Sequence, residues 1–375
     1  MSASRIRVGI LGATGTVGQK LVALLADHPW FEVTAVAASE RSVGKRYREA
    51  THWLEPAPMP EATADLRVAP AQPPLAADIV LSALDAATAA AFEPAFARAG
   101  YAVISNAGAW RMHPSVPLLV PEINADHLAL LATQEWRPGY IVTNPNCSTT
   151  GLACALAPLV RAFGVSDVHV TTLQAITGAG HPGIPALDIL GNVVPFIAGE
   201  EEKIESETSK ILGRIVGGRV EPAPMRISAH ANRVPVLDGH LLCVSARLGR
   251  CVPIADVRAA FAEWRSQLDG LGLPSAPPRL LRVFDDAASP QPRLHASLGD
   301  GMTVSVGRLR SCPLLDVRFV VLVHNTVRGA AGAAILNAEL LAQRELLHAG
   351  KRLASDLAPL AAKSPRPTAP AGPDP

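Results

Sequence analysis

The stretch Asn144-Pro145-Asn146-Cys147-Ser148-Thr149-Thr150-Gly151 sets a thiol directly after a strand-like run and before an apolar, helix-forming segment. A cysteine so placed faces the positive end of a helix, which favours thiolate and offers oriented N–H groups to the oxyanion of a tetrahedral intermediate. Its chemistry would be attack on an activated carboxyl group to form a thioester. Position alone also allows a small buried hydrophobe, and Cys154, further along the same helical face, is read as that. Later in the chain, Asn232-Arg233-Val234-Pro235-Val236-Leu237-Asp238-Gly239-His240 carries a guanidinium and an imidazole on either side of a connection punctuated by Pro and Gly. Both could face one cleft. Arg233 could clamp a carboxylate with two parallel hydrogen bonds, and His240 could exchange protons near neutral pH. His181 and His230 are read as loop or surface residues.

A second chemistry-bearing segment lies at the N-terminus. Gly12-Ala13-Thr14-Gly15-Thr16-Val17-Gly18 falls between a strand pattern and a helix pattern. Backbone N–H groups and the positive helix end can meet a pyrophosphate there, and glycine lets the backbone come close. Such a turn can also be purely structural, so the β-turn-α context carries the expectation of a dinucleotide. The next strand ends in Ala38-Ser39-Glu40-Arg41-Ser42, with Lys45 beyond, instead of a lone acidic residue. A hydroxyl, a guanidinium and an ammonium at Ser39, Arg41, Ser42 and Lys45 suit a 2′-phosphate, hence NADP. Glu40 leaves NAD open, and a solvated charged loop is the bland alternative.

The elements that must hold these residues alternate in type. Strand patterns at 6–12, 31–38, 78–83, 101–105 and 140–143 are interleaved with helix patterns at 86–99 and 124–133, the signature of a doubly wound parallel sheet. From about Cys147 the strands (166–176, 226–231, 240–248, 303–310, 316–323) come without a helix between every pair, which fits a mixed α+β domain. A helix over 329–347 is expected to return to the first domain, and the Pro- and Ala-rich residues 357–375 read as a disordered tail. The fold class expected is α/β: a Rossmann-type domain, 1–146, completed by a C-terminal helix within 325–350, and a catalytic and oligomerisation domain, 147–324. The length of 375 residues agrees with two cores. Lys+Arg 34 against Asp+Glu 33 builds no field for nucleic acid or membranes, and the five scattered cysteines suggest neither a disulfide framework nor a metal site. No signal peptide or membrane span is visible, so a cytoplasmic protein is expected.

Together these segments resemble the aspartate-semialdehyde dehydrogenases, and within them the archaeal and fungal type. The resemblance rests on GATGTVG (12–18), SNAGAWRMHPSVPLLVPEIN (105–124), NPNCSTTGL (144–152), TLQAITGAGHPGIP (172–185), GEEEKIESETSKIL (199–212), NRVPVLDGH (232–240) and HNTVRGAAG (324–332), in the family's order. It implies Cys147 as the acyl-forming nucleophile, Gln174 as a positioning group for the thiohemiacetal, His240 as acid/base and Asn146 beside the reacting centre. By the same resemblance Arg233 binds the substrate α-carboxylate, Glu200 its ammonium group, Arg111 and Lys203 the phosphate, and Asn325 lies near the nicotinamide. A homodimer or homotetramer acting on a small molecule and phosphate is implied, with NADP and no metal. The chain departs from the family pattern at Trp110, His181 and His230-Ala231. A CoA-thioester reductase such as malonyl-CoA reductase shares the same logic, as does an N-acetyl-γ-glutamyl-phosphate reductase, which Ser148-Thr149-Thr150 disfavours. A non-catalytic dinucleotide sensor is the alternative of another class.

Overall fold

The structure, a computed structural model, describes residues 5–347. Its first sheet is parallel throughout. Strands β1 (Ile6–Leu11), β2 (Phe31–Ala38), β3 (Val68–Pro70), β4 (Ile79–Ser82), β5 (Ala102–Ser105) and β6 (Tyr140–Thr143) lie in the order β3-β2-β1-β4-β5-β6. Parallel strands need crossovers, and helices on both faces bury them, which is why β4, β5 and β6 have every residue buried. Helix α1 (Thr16–Leu25) follows β1 and α2 (Ala86–Arg98) follows β4. Order reverses between β1 and β4, and in such sheets ligands bind beyond the carboxyl ends of the strands at that switch point. The adjoining carboxyl ends are polar: Ser82 pairs with Ser105 and Ser105 with Thr143, all three fully buried.

The second sheet is mixed. β7 (Val165–Gln174), β10 (Arg226–Arg233), β11 (His240–Leu248), β12 (Leu281–Val283), β13 (Val304–Ser311) and β14 (Val317–Val323) take the order β10-β7-β11-β14-β13-β12. A small hairpin, β8 (Arg214–Val216) and β9 (Arg219–Glu221), stands apart. Along β11 the apolar Leu242, Val244 and Ala246 are buried while Cys243 and Arg247 are exposed, the two-residue period of a sheet covered on one face. Three helices form the cover: α3 (Cys147–Phe163), α4 (Glu200–Ile211) and α5 (Ile254–Ala262).

The final helix α6 (Gly332–Gln343) packs Ala334, Ile335, Ala338 and Leu341 into the core of the first sheet, as the sequence suggests. It is shorter than the expected 329–347. A π-helical turn, Val327–Ala331, precedes it, and Glu345 takes a left-handed φ of 56° that ends the helix. The segment 124–133 is not an α-helix but a 3-10 run, Ala125–Thr133, after a short α turn at Pro121–Asn124. Strand β7 ends at Gln174, and 176–179 fold as a 3-10 turn. The tail expected at 357–375 lies outside the described residues, as does the end of the 325–350 segment. Among the described residues no helix is long and apolar enough to cross a membrane.

Candidate active site

Cys147 is the first residue of α3, held there by its neighbour. Asn146 has extended backbone, and its side chain accepts from the N–H groups of Ser148 (2.9 Å) and Thr149 (3.2 Å), capping the helix. Cys147 is only partly buried as a residue. Behind it the π-helical turn leaves no room: a Cβ on Gly329 would stand 2.5 Å from the Cβ of Cys147. That turn is anchored by Arg328, whose guanidinium donates two bonds to Glu122 at 2.6 and 2.8 Å with both side chains buried.

Arg233 and His240 stand on either side of a connection between strands, Arg233 closing β10 and His240 opening β11, and β7 lies between those two strands in the sheet. Because β10 runs parallel to β7 and β11 antiparallel to it, the end of the one and the start of the other reach the same edge. Both border Gly178, where a Cβ would lie 2.8 Å from Arg233 Nη1 and 3.1 Å from His240 Cε1. His240 Nε2 is 3.1 Å from Cys147 Sγ, and Nδ1 accepts from the N–H of Ala175 at 3.0 Å. Arg233 donates to the Ala175 carbonyl at 2.8 Å, and its Nε has no protein partner although it is buried.

Helix α4 supplies the acidic side. Glu200, its first residue, accepts from Asn146 Nδ2 (3.0 and 2.8 Å), Gln174 Nε2 (3.1 Å) and Lys203 Nζ (3.0 Å). Burial works against its charge, but Lys203, Asn146 and Gln174 outweigh burial and hold the carboxyl below its ordinary range. Two turns on, Glu207 accepts the N–H of Asn146 at 2.7 Å and pairs with Arg111 at 3.0 Å. Arg111 also donates to the Asn106 carbonyl at 2.6 Å, and its buried Nε is likewise unpartnered. Lys203 remains about two-fifths exposed, free enough to turn toward a ligand. The resemblance-based set Asn146, Cys147, Gln174, Glu200, Lys203, Arg233 and His240 is thus one linked network, with Arg111 joined through Glu207. The sequence reading missed Glu207, although it lies seven residues after Glu200 on the same helical face. It also missed the Ala175 backbone, which no side-chain pattern advertises.

Electrostatics at the thiol differ from expectation. Burial, with Glu200 adding to it, pushes Cys147 up to about 12, against the pull of Arg111, the Ser148 N–H and Arg233. Burial thus favours the thiol form, whereas the helix start alone suggests thiolate. Burial, then Arg233 and His324, push His240 down to about 3, so its imidazole is neutral.

On the other side of the cleft, Gly12 takes φ +71°, and a Cβ there would meet the Ala83 carbonyl at 2.6 Å. A Cβ on Gly18 would collide with the Gly12 carbonyl at 2.3 Å, so both glycines are demanded by close packing of turn, strand and helix. Gly15 caps α1 without a side-chain bond, and the buried Thr16 hydroxyl has no partner. Open backbone donors and an orphaned hydroxyl at a helix start fit a pyrophosphate. Thr14 gives its carbonyl to Gln19, and Val17 packs on the core. Ser39, Arg41 and Lys45 are exposed and Ser42 is partly exposed, in a turn closed by Ser42 N–H on the Ser39 carbonyl (2.8 Å). Among the described residues neither Arg41 nor Lys45 enters an ion pair. A cleft runs from Thr16 and Lys20 to Thr177, Asp238 and Thr326. Asn325 stands beside it, donating to Thr177 and accepting from Gly239 N–H, which ties two loops together. His181 is exposed at this cleft, its ring 5.8 Å from that of His52, and His230 is exposed on β10.

The arrangement offers a thiol, an imidazole touching it and two buried arginines with unfilled donors, and a glycine turn borders a cleft that reaches Thr177 and Asp238. Comparison with known proteins places that chemistry in a lineage. The family description "Semialdehyde dehydrogenase, NAD binding domain" matches residues 7–131, and "Semialdehyde dehydrogenase, dimerisation domain" matches 156–328. The aspartate-semialdehyde dehydrogenase of Archaeoglobus fulgidus is 46% identical over 348 residues, covering 92% of this chain and 100% of that one. That of Cryptococcus neoformans is 46% identical over 359 residues, covering 92% and 98%. A crystal structure of aspartate semialdehyde dehydrogenase with NADP from Candida albicans superposes with a TM-score of 0.86 at 42% identity, covering 92% of this chain and 100% of that one. The chain therefore belongs to the semialdehyde dehydrogenase family, in the group that holds the archaeal and fungal aspartate-semialdehyde dehydrogenases.

Proposed function

We propose that the protein is an NADP-dependent aspartate-semialdehyde dehydrogenase, which reduces L-aspartyl 4-phosphate to L-aspartate 4-semialdehyde and phosphate and also catalyses the reverse, phosphorylating oxidation. The observation that carries this reading is the 3.1 Å contact of Cys147 Sγ with His240 Nε2 between two buried arginines, in a chain of this family. Cys147 attacks the acyl carbon, and phosphate departs toward Arg111 and Lys203, leaving a thioester on the sulfur. Arg111 offers its unfilled Nε, while Lys203 leaves Glu200 to reach the anion. NADPH, when bound, supplies the hydride that reduces the thioester carbonyl. Gly12, Thr14, Gly15, Thr16 and Val17 would hold its pyrophosphate, Ser39, Arg41, Ser42 and Lys45 its 2′-phosphate, and Asn325 would border the nicotinamide. His240 stands where it meets the developing alkoxide, whose collapse releases the aldehyde. Arg233 would take the α-carboxylate and Glu200 the ammonium group, with Gln174 and Asn146 positioning the reacting carbon.

Residues 1–146 with the returning C-terminal helix serve as the cofactor domain and 147–324 as the catalytic and oligomerisation domain. The uncovered face of the second sheet, bearing His169, His230 and Cys243, is where a homodimer would form, and a homotetramer would pair such dimers. The five cysteines, all free thiols, suit a reducing cytoplasm. Purified protein given aspartate semialdehyde, NADP and phosphate should form NADPH only when phosphate is present. Absence of turnover, or turnover indifferent to phosphate or arsenate, would overturn the reading.

A further inference from the structure

We propose that Glu207 and Lys210 are positioning residues for the phosphate end of the site: from the second half of α4 they fix the side chain and the backbone of Arg111, and so set how tightly phosphate or the acyl phosphate is held opposite Cys147. The inference deepens the proposed function, in which Arg111 meets the phosphate. Along α4 one spacing recurs, an acid followed three residues later by a lysine, at Glu200 and Lys203 and again at Glu207 and Lys210. Seven residues bring the second pair back to nearly the same face, about 10 Å further along the axis. The first pair is open to a ligand, with Lys203 partly exposed. The second is not: Glu207 is 2% exposed and Lys210 4%. Two charges so buried must be engaged, and what both engage is Arg111.

Glu207 uses its two oxygens on two walls. Oε1 accepts from Arg111 Nη1 at 3.0 Å, and Oε2 accepts at 2.7 Å from the N–H of Asn146, the residue that caps α3 beside Cys147. One rigid carboxylate thus fixes the guanidinium relative to the start of the thiol's helix. On the far side of the fork, Nη2 donates to the carbonyl of Asn106, just after β5. Lys210 takes the backbone. Its Nζ donates to the carbonyls of Arg111 (2.6 Å), His113 (2.9 Å) and Val116 (2.9 Å), so all three ammonium protons go to the loop that carries the arginine.

A pair kept for stability alone would leave no donor idle, yet Arg111 Nε is buried without a partner. With Nη1 and Nη2 both tied down, that donor has a fixed direction and waits for an acceptor that a ligand supplies. The same guanidinium is close enough to draw Cys147 toward thiolate, which places it at the reacting end of the site.

The test is a KM split combined with a double-mutant cycle on the whole enzyme. Glu207→Gln keeps size and shape but offers one acceptor oxygen where two donors point, so Arg111 and the Asn146 N–H can no longer both be served. It should raise the KM for phosphate about tenfold in aldehyde oxidation and leave the KM for aspartate semialdehyde within about twofold. Glu207→Asp, with the charge on a shorter arm, and Lys210→Met, which frees the loop carbonyls, should give the same phosphate-selective rise, so a Glu207→Gln chain that fails to fold leaves two variants to decide. Phosphate binding is also read without turnover, as the inorganic phosphate concentration that halves alkylation of Cys147 by iodoacetamide. Glu207→Gln should raise that concentration about tenfold in the wild-type background and less than about twofold beside Arg111→Ala, where nothing is left to position. Equal shifts in both KM values, an unchanged phosphate KM, wild-type protein that phosphate does not protect, or an effect as large without Arg111 as with it would overturn the proposal. A protein inactive on aspartate semialdehyde that still showed the Arg111-dependent change in protection would refute the proposed function and leave the positioning role standing.

Discussion

Cys147 stands under opposed influences: capped helix N–H groups and two arginines draw it toward thiolate, while burial and Glu200 hold its proton. Serine at this place would have to give up a far less acidic one. Cys147→Ser should therefore abolish phosphate-dependent aldehyde oxidation while leaving NADP affinity, measured by calorimetry, within about twofold. Cys154→Ser should keep most activity, since that thiol lies fully buried beside Arg328 in the core. Cys147, His240 and Arg233 were legible in the sequence because helix start, strand end and Pro/Gly punctuation leave marks on it. Glu207 and the Ala175 backbone were not: one resembles any charged helix position, and the other acts through atoms every residue possesses.

At the scale of elements, two devices hold the site. One is the face of α4, where Glu200, Ile204, Glu207 and Ile211 are buried in succession, so that a very polar helix still packs against α3 while aiming carboxylates at its start. The other is the π-helical turn Val327–Ala331 pressed on Cys147. Gly329→Ala should displace the thiol: activity should fall about 10²-fold or more, with about 1–3 kcal/mol lost from stability in urea unfolding. A variant with wild-type kinetics would show that the turn does not set the position of the sulfur. In α2, Glu93 is fully buried with one oxygen on Ser105 Oγ (2.6 Å) and the other unpartnered, and burial pushes it up to about 7. Its folded value lies above the unfolded one, so the folded state binds the extra proton between about pH 4.5 and 7, and stability falls as pH rises through that window. Glu93→Gln should stabilise the protein by about 1–3 kcal/mol near pH 8 and by little near pH 4.5, read from denaturant midpoints at the two values. Among the elements that periodicity missed, β3, β12 and the two strands of the β8-β9 hairpin have three residues each, too few to display a period. The 3-10 run at 125–133 carries helical spacing of apolar residues, which does not separate the two helix types.

For the whole molecule, the alternation of strand and helix identified the parallel sheet, and the loss of that alternation after Cys147 identified the mixed sheet. What composition did not reveal is that β7 separates Arg233 from His240, because strand order within a mixed sheet depends on pairing across long stretches of chain. A cleft runs from Thr16 and Lys20 beside the glycine turn to Thr177 and Asp238, and under the proposed function cofactor choice would be decided at the exposed turn after β2. There Arg41 and Lys45 have no ion-pair partner among the described residues, and a 2′-phosphate would gain charge-assisted bonds. The kcat/KM for NADP should exceed that for NAD, and Arg41→Ala should narrow the ratio by about 1.5–3 kcal/mol in free-energy terms. An unmutated enzyme preferring NAD would refute the assignment of that turn. The central claim is the identity of the acyl group carried on Cys147. It is tested most directly by kcat/KM measured side by side for aspartate semialdehyde with phosphate and NADP, N-acetylglutamate semialdehyde under the same conditions, and malonyl-CoA with NADPH. Aspartate semialdehyde should lead by at least about 10²-fold, since it alone combines a reacting aldehyde with an α-carboxylate for Arg233 and a free ammonium for Glu200; a protein that handled malonyl-CoA or the acetylated aldehyde as well or better would contradict the account.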